Sequence, residues 1–551
     1  MALTRKIDLI KLYETHTCLI VDDMPEMRGA IKRMIVSQGM ARIDTAANAP
    51  EAISMCETRA YSMIICDYNL GKSQDGQQLL ENLRHRKLLT PVGLFIMITA
   101  ESSREMVLGA IESQPDDYIT KPFTPKQLCL RLDRVLIKHE ALLPIKKLFA
   151  DKQYSEAVTL CEQMINNNSE FAFEINRMKG RILFLLGDLH RAREHYEKIV
   201  EQRPLPWAML GLAETLVELG AYDHAEIILN KIVKIDHRYV EAHDLLARVH
   251  LEQSDIDKAQ SELEQACELS PKSALRQRRL AHIAERNGDI KTSLKSYQQS
   301  IKWGSNSIHE DDSDLFNFAR KAAELVRTDT SKPARDLADK AVKQLARMCQ
   351  ENPDNLEIQL KADLISASIN QLLNKPNADQ KSEEVRQQFH DNPPDDAECH
   401  LDFVKVLQDC GDDDEAQEHL QAMAAEFSED KDVLTKIERS SSEPLTDESR
   451  KKVAILTKSG IASYQSKDYL QAGRTFQEAL SVFPNHVGLN LNLVQVLLEQ
   501  HNGKVNERDA ASVERCFDRI QHIHESDPQA QRAQTLKAQF KEAKRVESYT
   551  N

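Results

Sequence analysis

The sequence predicts two architectures in one chain: a doubly wound α/β domain with a five-stranded parallel sheet over residues 16–138, then an all-α superhelical solenoid of stacked helix pairs. Three observations predict this. Short apolar runs in the first 140 residues alternate with amphipathic stretches, as strands buried on both faces and their crossover helices do. Farther on, one pattern returns at intervals near 34 residues, the mark of a helical array. With aromatics at 5%, charged residues at 29% and only 17 glycines in 551 residues, the composition favours long amphipathic helices over sheet.

Along the first region the runs are CLIV (18–21), MIIC (63–66) and GLFIMIT (93–99), with helical patterns over about 25–38 and 76–87 between them, and YITKPF closing the last strand. In such a sheet, functional groups collect beyond the carboxyl ends of the strands. Asp22 and Asp23 stand there after the first run, Asp67 after MIIC, Thr99 after the next and Lys121 after the last. Asp67 follows a run of buried type, and an unpaired buried carboxylate is costly. Three carboxylates converging with one lysine do not all stay ionised without a cation, and an all-oxygen set suits a hard ion such as Mg²⁺. Asp67 is therefore expected to pair with a metal and with an ammonium group.

The series VDD, CDYNL, ITAE and YITKPF resembles, in order and spacing, the receiver domain of two-component response regulators, over roughly residues 16–138. The resemblance implies that Asp67 is the phosphoacceptor, taking its phosphoryl group from a sensor histidine kinase or a phosphotransfer protein. It implies that Asp22, Asp23, Asp67 and the backbone carbonyl of Asn69 hold Mg²⁺, that Lys121 pairs with the phosphoryl oxygens and that Thr99 hydrogen-bonds one of them. Tyr118 corresponds to the aromatic whose rotamer follows Thr99, and Lys121-Pro122 to a cis peptide bond. Asn69 and Glu101 resemble the modulating pair of the single-domain chemotaxis regulator, which implies a labile acyl phosphate. The chain departs from the usual pattern in the loop LGKSQDG, where Asp75 comes eight residues after Asp67 and the customary proline is missing.

The second region aligns on Ala157, Ala192, Ala225, Ala259 and Ser293, at intervals of 35, 33, 34 and 34 residues. This resembles the tetratricopeptide repeat, a helix–turn–helix unit. A glycine or small polar turn (Gly187, Gly220, Ser254, Gly288) reverses the chain, a small residue lets two helices approach, and Tyr196, Leu229, Leu263 and Tyr297 fill the space against the next unit. Pro204 and Pro271 end helices. Degenerate units recur at 410–423 and 466–484, and proline punctuates a helical but irregular stretch between.

The expected organisation is an N-terminal extension (1–15), receiver (16–138), repeats (139–307), irregular repeat-like helices (308–437), a break (438–449) that is either flexible or a solvated inter-repeat loop, and a C-terminal repeat with a closing helix (450–551). Helical pattern continues through 138–143 and beyond Pro144 with no flexible tract, so the two regions should be rigidly joined.

A net charge of −15 argues against broad phosphate-backbone contacts with nucleic acid. Ten scattered cysteines without a CxxC pair fit a reducing compartment, and no run approaches a membrane span, so a cytoplasmic protein is expected. His190 with His195 and His522 with His524 read as solvated helix residues rather than zinc ligands. Arg278 and His282 in LRQRRLAH are candidates for a groove that takes an acidic peptide, against a plain solvated face. The acidic runs HEDDSD (309–314) and CGDDDE (410–415) read as turns and caps, and Trp207 and Trp303 as packing between units.

The leading functional expectation is a phosphorelay response regulator whose output is protein binding by the repeats, with an unknown downstream protein and dimerisation as further partners. It is no enzyme beyond its own phosphorylation and dephosphorylation. The alternatives are a DNA-binding regulator, a constitutive scaffold with a vestigial receiver, and an enzymatic output; no catalytic motif beyond residue 138 supports the last.

Overall fold

The computed structural model describes residues 9–71, 74–100, 115–167, 169–500, 507–520 and 528–548. The chain divides into two compact units, Met1–Phe318 and Ala319–Asn551.

The first unit opens with the helix Leu9–Thr15 and a five-stranded parallel sheet: β1 (Thr17–Val21), β2 (Arg42–Ala46), β3 (Met63–Asp67), β4 (Leu94–Thr99) and β5 (Asp117–Thr120), in the order β2-β1-β3-β4-β5. Strand residues alternate between two cores, as the two-residue period requires. Cys18, Ile20, Met63, Ile65, Ile96 and Ile98 face the helices Pro25–Val36 and Pro125–Ala150. Leu19, Val21, Ile64, Cys66, Phe95 and Met97 face Ala49–Thr58 and Gly76–His85. β2 carries no apolar run; it lies at the sheet edge, where Arg42 is exposed and Asp44 and Thr45 are half-buried. The N-terminal helix belongs to the domain: Tyr13 is buried and its hydroxyl donates to Asp133 Oδ1 at 2.9 Å.

A single helix, Pro125–Ala150, leaves the sheet, with Pro144 inside it. Its first half supplies Leu128, Leu132 and Leu136 to the sheet core, and its second half supplies Leu142 and Ile145 to the core of the first repeat. The two regions thus share one element, as the unbroken helical pattern suggests.

Helix pairs follow from Tyr154–Asn166 to Ile290–Gly304. The turns obey one rule: Lys152, Gly187, Gly220, Ser254 and Gly288 all have φ between 57° and 80°, the left-handed region. Ala157, Ala192, Ala225, Ala259 and Ser293 are fully buried, so neighbouring helices close on them. Tyr196 fills the space left by two glycines: a Cβ on Gly180 or Gly211 would come within 2.5 Å or 2.4 Å of its ring. Trp207 packs edge-on to Tyr196 and Phe173, between units.

The second unit is also helical, from Lys332–Glu351 to Ala530–Ser548, with cores around Phe389 and Phe403 and around Phe476 and Phe483. Across it, Arg320 meets Asp402 at 2.7 Å and Arg327 meets Asp409 at 2.6 Å. In the stretch 438–449 the buried Glu438 carboxylate accepts from the backbone N–H groups of Leu445 and Thr446. The acidic run at 410–415 supplies partners for Arg386, which reaches Asp412 and Glu415 at 2.7 Å each. No helix among the described residues is long and apolar enough to cross a membrane, and all ten cysteines are free thiols.

Candidate functional site

Strand register assembles the site. Val21 pairs with Cys66, so Asp22 and Asp67 leave β1 and β3 side by side; Thr99 pairs with Thr120, which puts Lys121 beside the end of β4. Asp22 and Asp67 are buried and Asp23 is exposed, and one carboxylate oxygen from each lies within 4.8 Å of the others. The Lys121 ammonium bridges the pair, 3.0 Å from Asp22 Oδ2 and 2.9 Å from Asp67 Oδ1. Among the described residues this is the one group of His, Cys, Asp and Glu side chains whose ligand atoms converge in this way.

The backbone holds each side chain in place. Met24 N–H donates to Asp22 Oδ1 at 2.8 Å, and Arg28 Nη1 donates to the Asp22 carbonyl at 2.6 Å. Arg28 was not singled out in the sequence; its only signal is its place in the first turns of the helix after VDD. Lys121 N–H donates to the Thr99 carbonyl at 2.6 Å, and the Lys121-Pro122 bond is cis. The Thr99 side chain is buried at the end of β4, and Tyr118, paired with Met97, packs half-buried on the sheet face that carries Cys66. Asn69 lies exposed two residues after Asp67, its Oδ1 accepting from Gly71 N–H at 3.2 Å. Asp75 caps the next helix reciprocally with Gln78. Glu101 lies outside the described residues, as do His522 and His524.

Burial pushes the Asp67 carboxyl above its usual range; Lys121 opposes this, while Asp22 and Asp23 reinforce it. For Lys121, burial works against the charge, but the bonds to Asp67 and Asp22 outweigh it and raise the ammonium's pKa. Three carboxylates against one ammonium leave two negative charges over, in a set of hard oxygen donors, which fits one divalent cation of the Mg²⁺ type.

The groove candidates sit elsewhere, in helix Ala274–Arg286. The Arg278 guanidinium is already bound within the chain, to Asp314 at 2.7 and 2.9 Å and to Asp311 at 3.2 Å, and His282 Nδ1 lies 3.0 Å from the Tyr297 hydroxyl. Both positions serve repeat packing, and HEDDSD supplies Arg278's partners beyond its turn role. His195 Nε2 lies 2.9 Å from the Asn176 carbonyl, and His190 is exposed.

Comparison with known proteins divides the chain the same way. The response regulator receiver domain family matches residues 18–133, and tetratricopeptide repeat families match 183–249 and 245–306. Chemotaxis protein CheY-3 of Vibrio cholerae serotype O1 is 32% identical over 117 residues, covering 21% of this chain and 88% of that protein. The alkaline phosphatase synthesis transcriptional regulatory protein PhoP of Bacillus subtilis (strain 168) is 28% identical over 188 residues, 34% of this chain; the chain spans 65% of that protein's length. Among solved structures, Vibrio cholerae chemotaxis protein CheY4, crystallised at low pH, is 25% identical, covering 22% of this chain and 98% of that one, with a TM-score of 0.21.

Proposed function

Since the chain belongs to the response regulator receiver family and carries tetratricopeptide repeats behind that domain, we propose that Asp67 accepts a phosphoryl group and that the repeats carry the resulting state to a protein partner. The observation that supports this best is the Lys121 ammonium set 2.9 Å from Asp67 within a triad of carboxylates. Phosphoryl transfer needs little covalent work from the protein; it needs alignment and neutralised charge.

One Asp67 oxygen attacks phosphorus, the P–N bond of a donor phosphohistidine breaks, and the imidazole leaves with the bonding pair. Lys121 then pairs with the new phosphoryl oxygens and Thr99 donates its hydroxyl to one of them. Mg²⁺ would be held by Asp22, Asp23, Asp67 and the Asn69 backbone carbonyl, and would supply neutralising charge for the phosphoryl oxygens. Tyr118 follows Thr99 and, with helix Pro125–Ala150, conveys the change toward the repeats; Asn69 and Glu101 set the lifetime of the acyl phosphate. The donor is a histidine kinase or phosphotransfer protein. The boundaries given from sequence, 16–138 for the receiver and 139 onward for the repeats, are part of this proposal.

Incubating the full chain with acetyl phosphate and Mg²⁺ tests the chemistry: one phosphoryl group should appear by intact mass and be absent from Asp67→Ala. Equal incorporation in the variant would place the acceptor elsewhere.

A further inference from the structure

The receiver and the repeats also meet at a second place, through residues outside the helix that joins them. Tyr68, the residue after Asp67, is buried, and the Lys272 ammonium stands 5.7 Å from the centre of its ring and 5.3 Å from that of Trp303. Such distances are those of cation–π contacts. Beside them, Gln74 Nε2 donates to the Asn306 carbonyl at 2.5 Å, and His309 Nε2 lies 3.4 Å from Glu81 Oε2. The receiver side of this contact is the β3 exit, Gln74 and the middle of helix Gly76–His85 at Glu81. The repeat side is the turn before helix Ala274–Arg286, the end of helix Ile290–Gly304, which carries Trp303, and the turns after it.

The repeat side is held firm from behind. Arg278 Nη2 donates to the His309 carbonyl at 2.9 Å while the same guanidinium grips Asp314, and Ser300 Oγ donates to Asp314 Oδ2 at 2.6 Å. The receiver side is tied to the acidic pocket. Tyr68 N–H donates to the Ile98 carbonyl at 2.7 Å, and the Tyr68 carbonyl accepts from Gly76 N–H at 2.7 Å. A shift of backbone at Asp67 thus moves the ring under Lys272.

We propose that this contact is an intramolecular docking surface, in which the turns around Lys272, Trp303, Asn306 and His309 clasp the β3 exit, and that a phosphoryl group on Asp67 tightens the clasp. The coupling rests on the reading of Asp67 as phosphoacceptor; the docking surface does not. The direction follows from charge. A phosphorylated Asp67 carries more negative charge than the bare carboxylate, one residue from the ring that Lys272 covers, so the cation is held more firmly. Linkage then requires the converse: docking favours the phosphorylated receiver.

Hydrogen exchange on the full chain in Mg²⁺, read over peptides spanning 74–85 and 303–311, tests both parts. Lys272→Ala, and separately Gln74→Ala, should speed exchange several-fold in both segments together. Unchanged exchange in both variants overturns the docking surface. Beryllofluoride, a phosphoryl mimic, should slow both segments in the wild type and in neither when Asp67→Ala is present. If ¹⁹F NMR shows the mimic bound at Asp67 while 303–311 exchanges as fast or faster, the coupling is overturned and the acceptor role stands. If no mimic and no phosphoryl group reaches Asp67, the coupling falls with the acceptor role, and the variants alone decide the docking surface.

Discussion

Lys121 Nζ lies 2.9 Å from Asp67 Oδ1 and 3.0 Å from Asp22 Oδ2, so one ammonium serves two buried carboxylates while Asp23 adds a third negative charge nearby. The pocket is therefore built for a ligand at some cost to the fold, since Asp67 is held above its ordinary carboxylate pKa by burial and by its acidic neighbours, which Lys121 only partly offsets. A carboxyl whose folded pKa is raised stabilises the fold when protonated, and that contribution is lost as pH rises through the folded pKa. Asp67→Asn should accordingly stabilise the fold at neutral pH in a chelator, by on the order of 1 kcal/mol, and raise the thermal midpoint. The gain should shrink as pH falls through the raised Asp67 pKa toward the usual carboxylate range, and Mg²⁺ should stabilise the wild type more than the variant. Thermal unfolding at two pH values, with and without Mg²⁺, measures this; a variant less stable than the wild type in chelator contradicts it.

The repeat turns give a second test. Lys152 and Lys467 have φ of 57° and 62°, where Gly187, Gly220 and Gly288 stand at equivalent turns, and both lysine side chains are exposed. A non-glycine residue pays about 1 kcal/mol or more for that backbone. Lys152→Gly and Lys467→Gly should each raise the urea midpoint, through a stabilisation of up to about 1 kcal/mol less the extra freedom glycine gains when unfolded. A loss of stability in both would show that the lysines make contacts that outweigh the backbone.

Much of this arrangement was legible in the sequence because it is local or periodic. The runs CLIV, MIIC and LFIMIT are apolar on both faces, so they declare buried strands, and the aspartates after the first two, with Lys121 after YIT, mark the sheet edge on which Asp22, Asp67 and Lys121 meet. Edge strand β2, RIDTA, was not legible, because three polar residues among its five, one exposed and two half-buried, leave no apolar run. The Tyr196 position was recognisable as a large residue in a repeat, but its two glycine partners were not, since Gly180 and Gly211 lie on other helices. What the sequence conceals altogether are contacts between distant segments. Nothing in LRQRRLAH identifies Asp314 as the partner of Arg278, and nothing in CDYNL points to Lys272, some two hundred residues away.

The Tyr196 pocket predicts strong non-additivity. Gly211→Ala should destabilise the repeats by about 1–3 kcal/mol, because the new methyl overlaps the ring. With Tyr196→Leu in place the same glycine change should cost far less, the smaller side chain leaving room. Urea denaturation of the two single variants and the double variant forms the cycle; additive costs would show that the ring is not what excludes the methyl group.

Acid should loosen the second unit through a histidine pair. His400 Nε2 lies 2.7 Å from the Pro394 carbonyl, which can only accept, so that nitrogen carries a proton. In neutral His400 the other nitrogen, Nδ1, is then an acceptor, and His419 Nε2, 3.0 Å away, donates to it. Burial pushes His419 down to about 4, with His400 and His390 close by adding to the effect, and its ring packs against Phe389 and Phe403. A histidine whose folded pKa lies below its ordinary 6.5 takes up a proton more readily when unfolded. Its contribution is therefore intact above pH 6.5 and declines as pH falls toward 4. The unfolding midpoint of the second unit should drop progressively over that window, and His419→Gln should flatten the slope while lowering stability at pH 7.5 through lost packing. Calorimetric scans at pH 7.5, 5.5 and 4.5 on both proteins decide the matter: parallel declines would assign the acid sensitivity to groups other than His419.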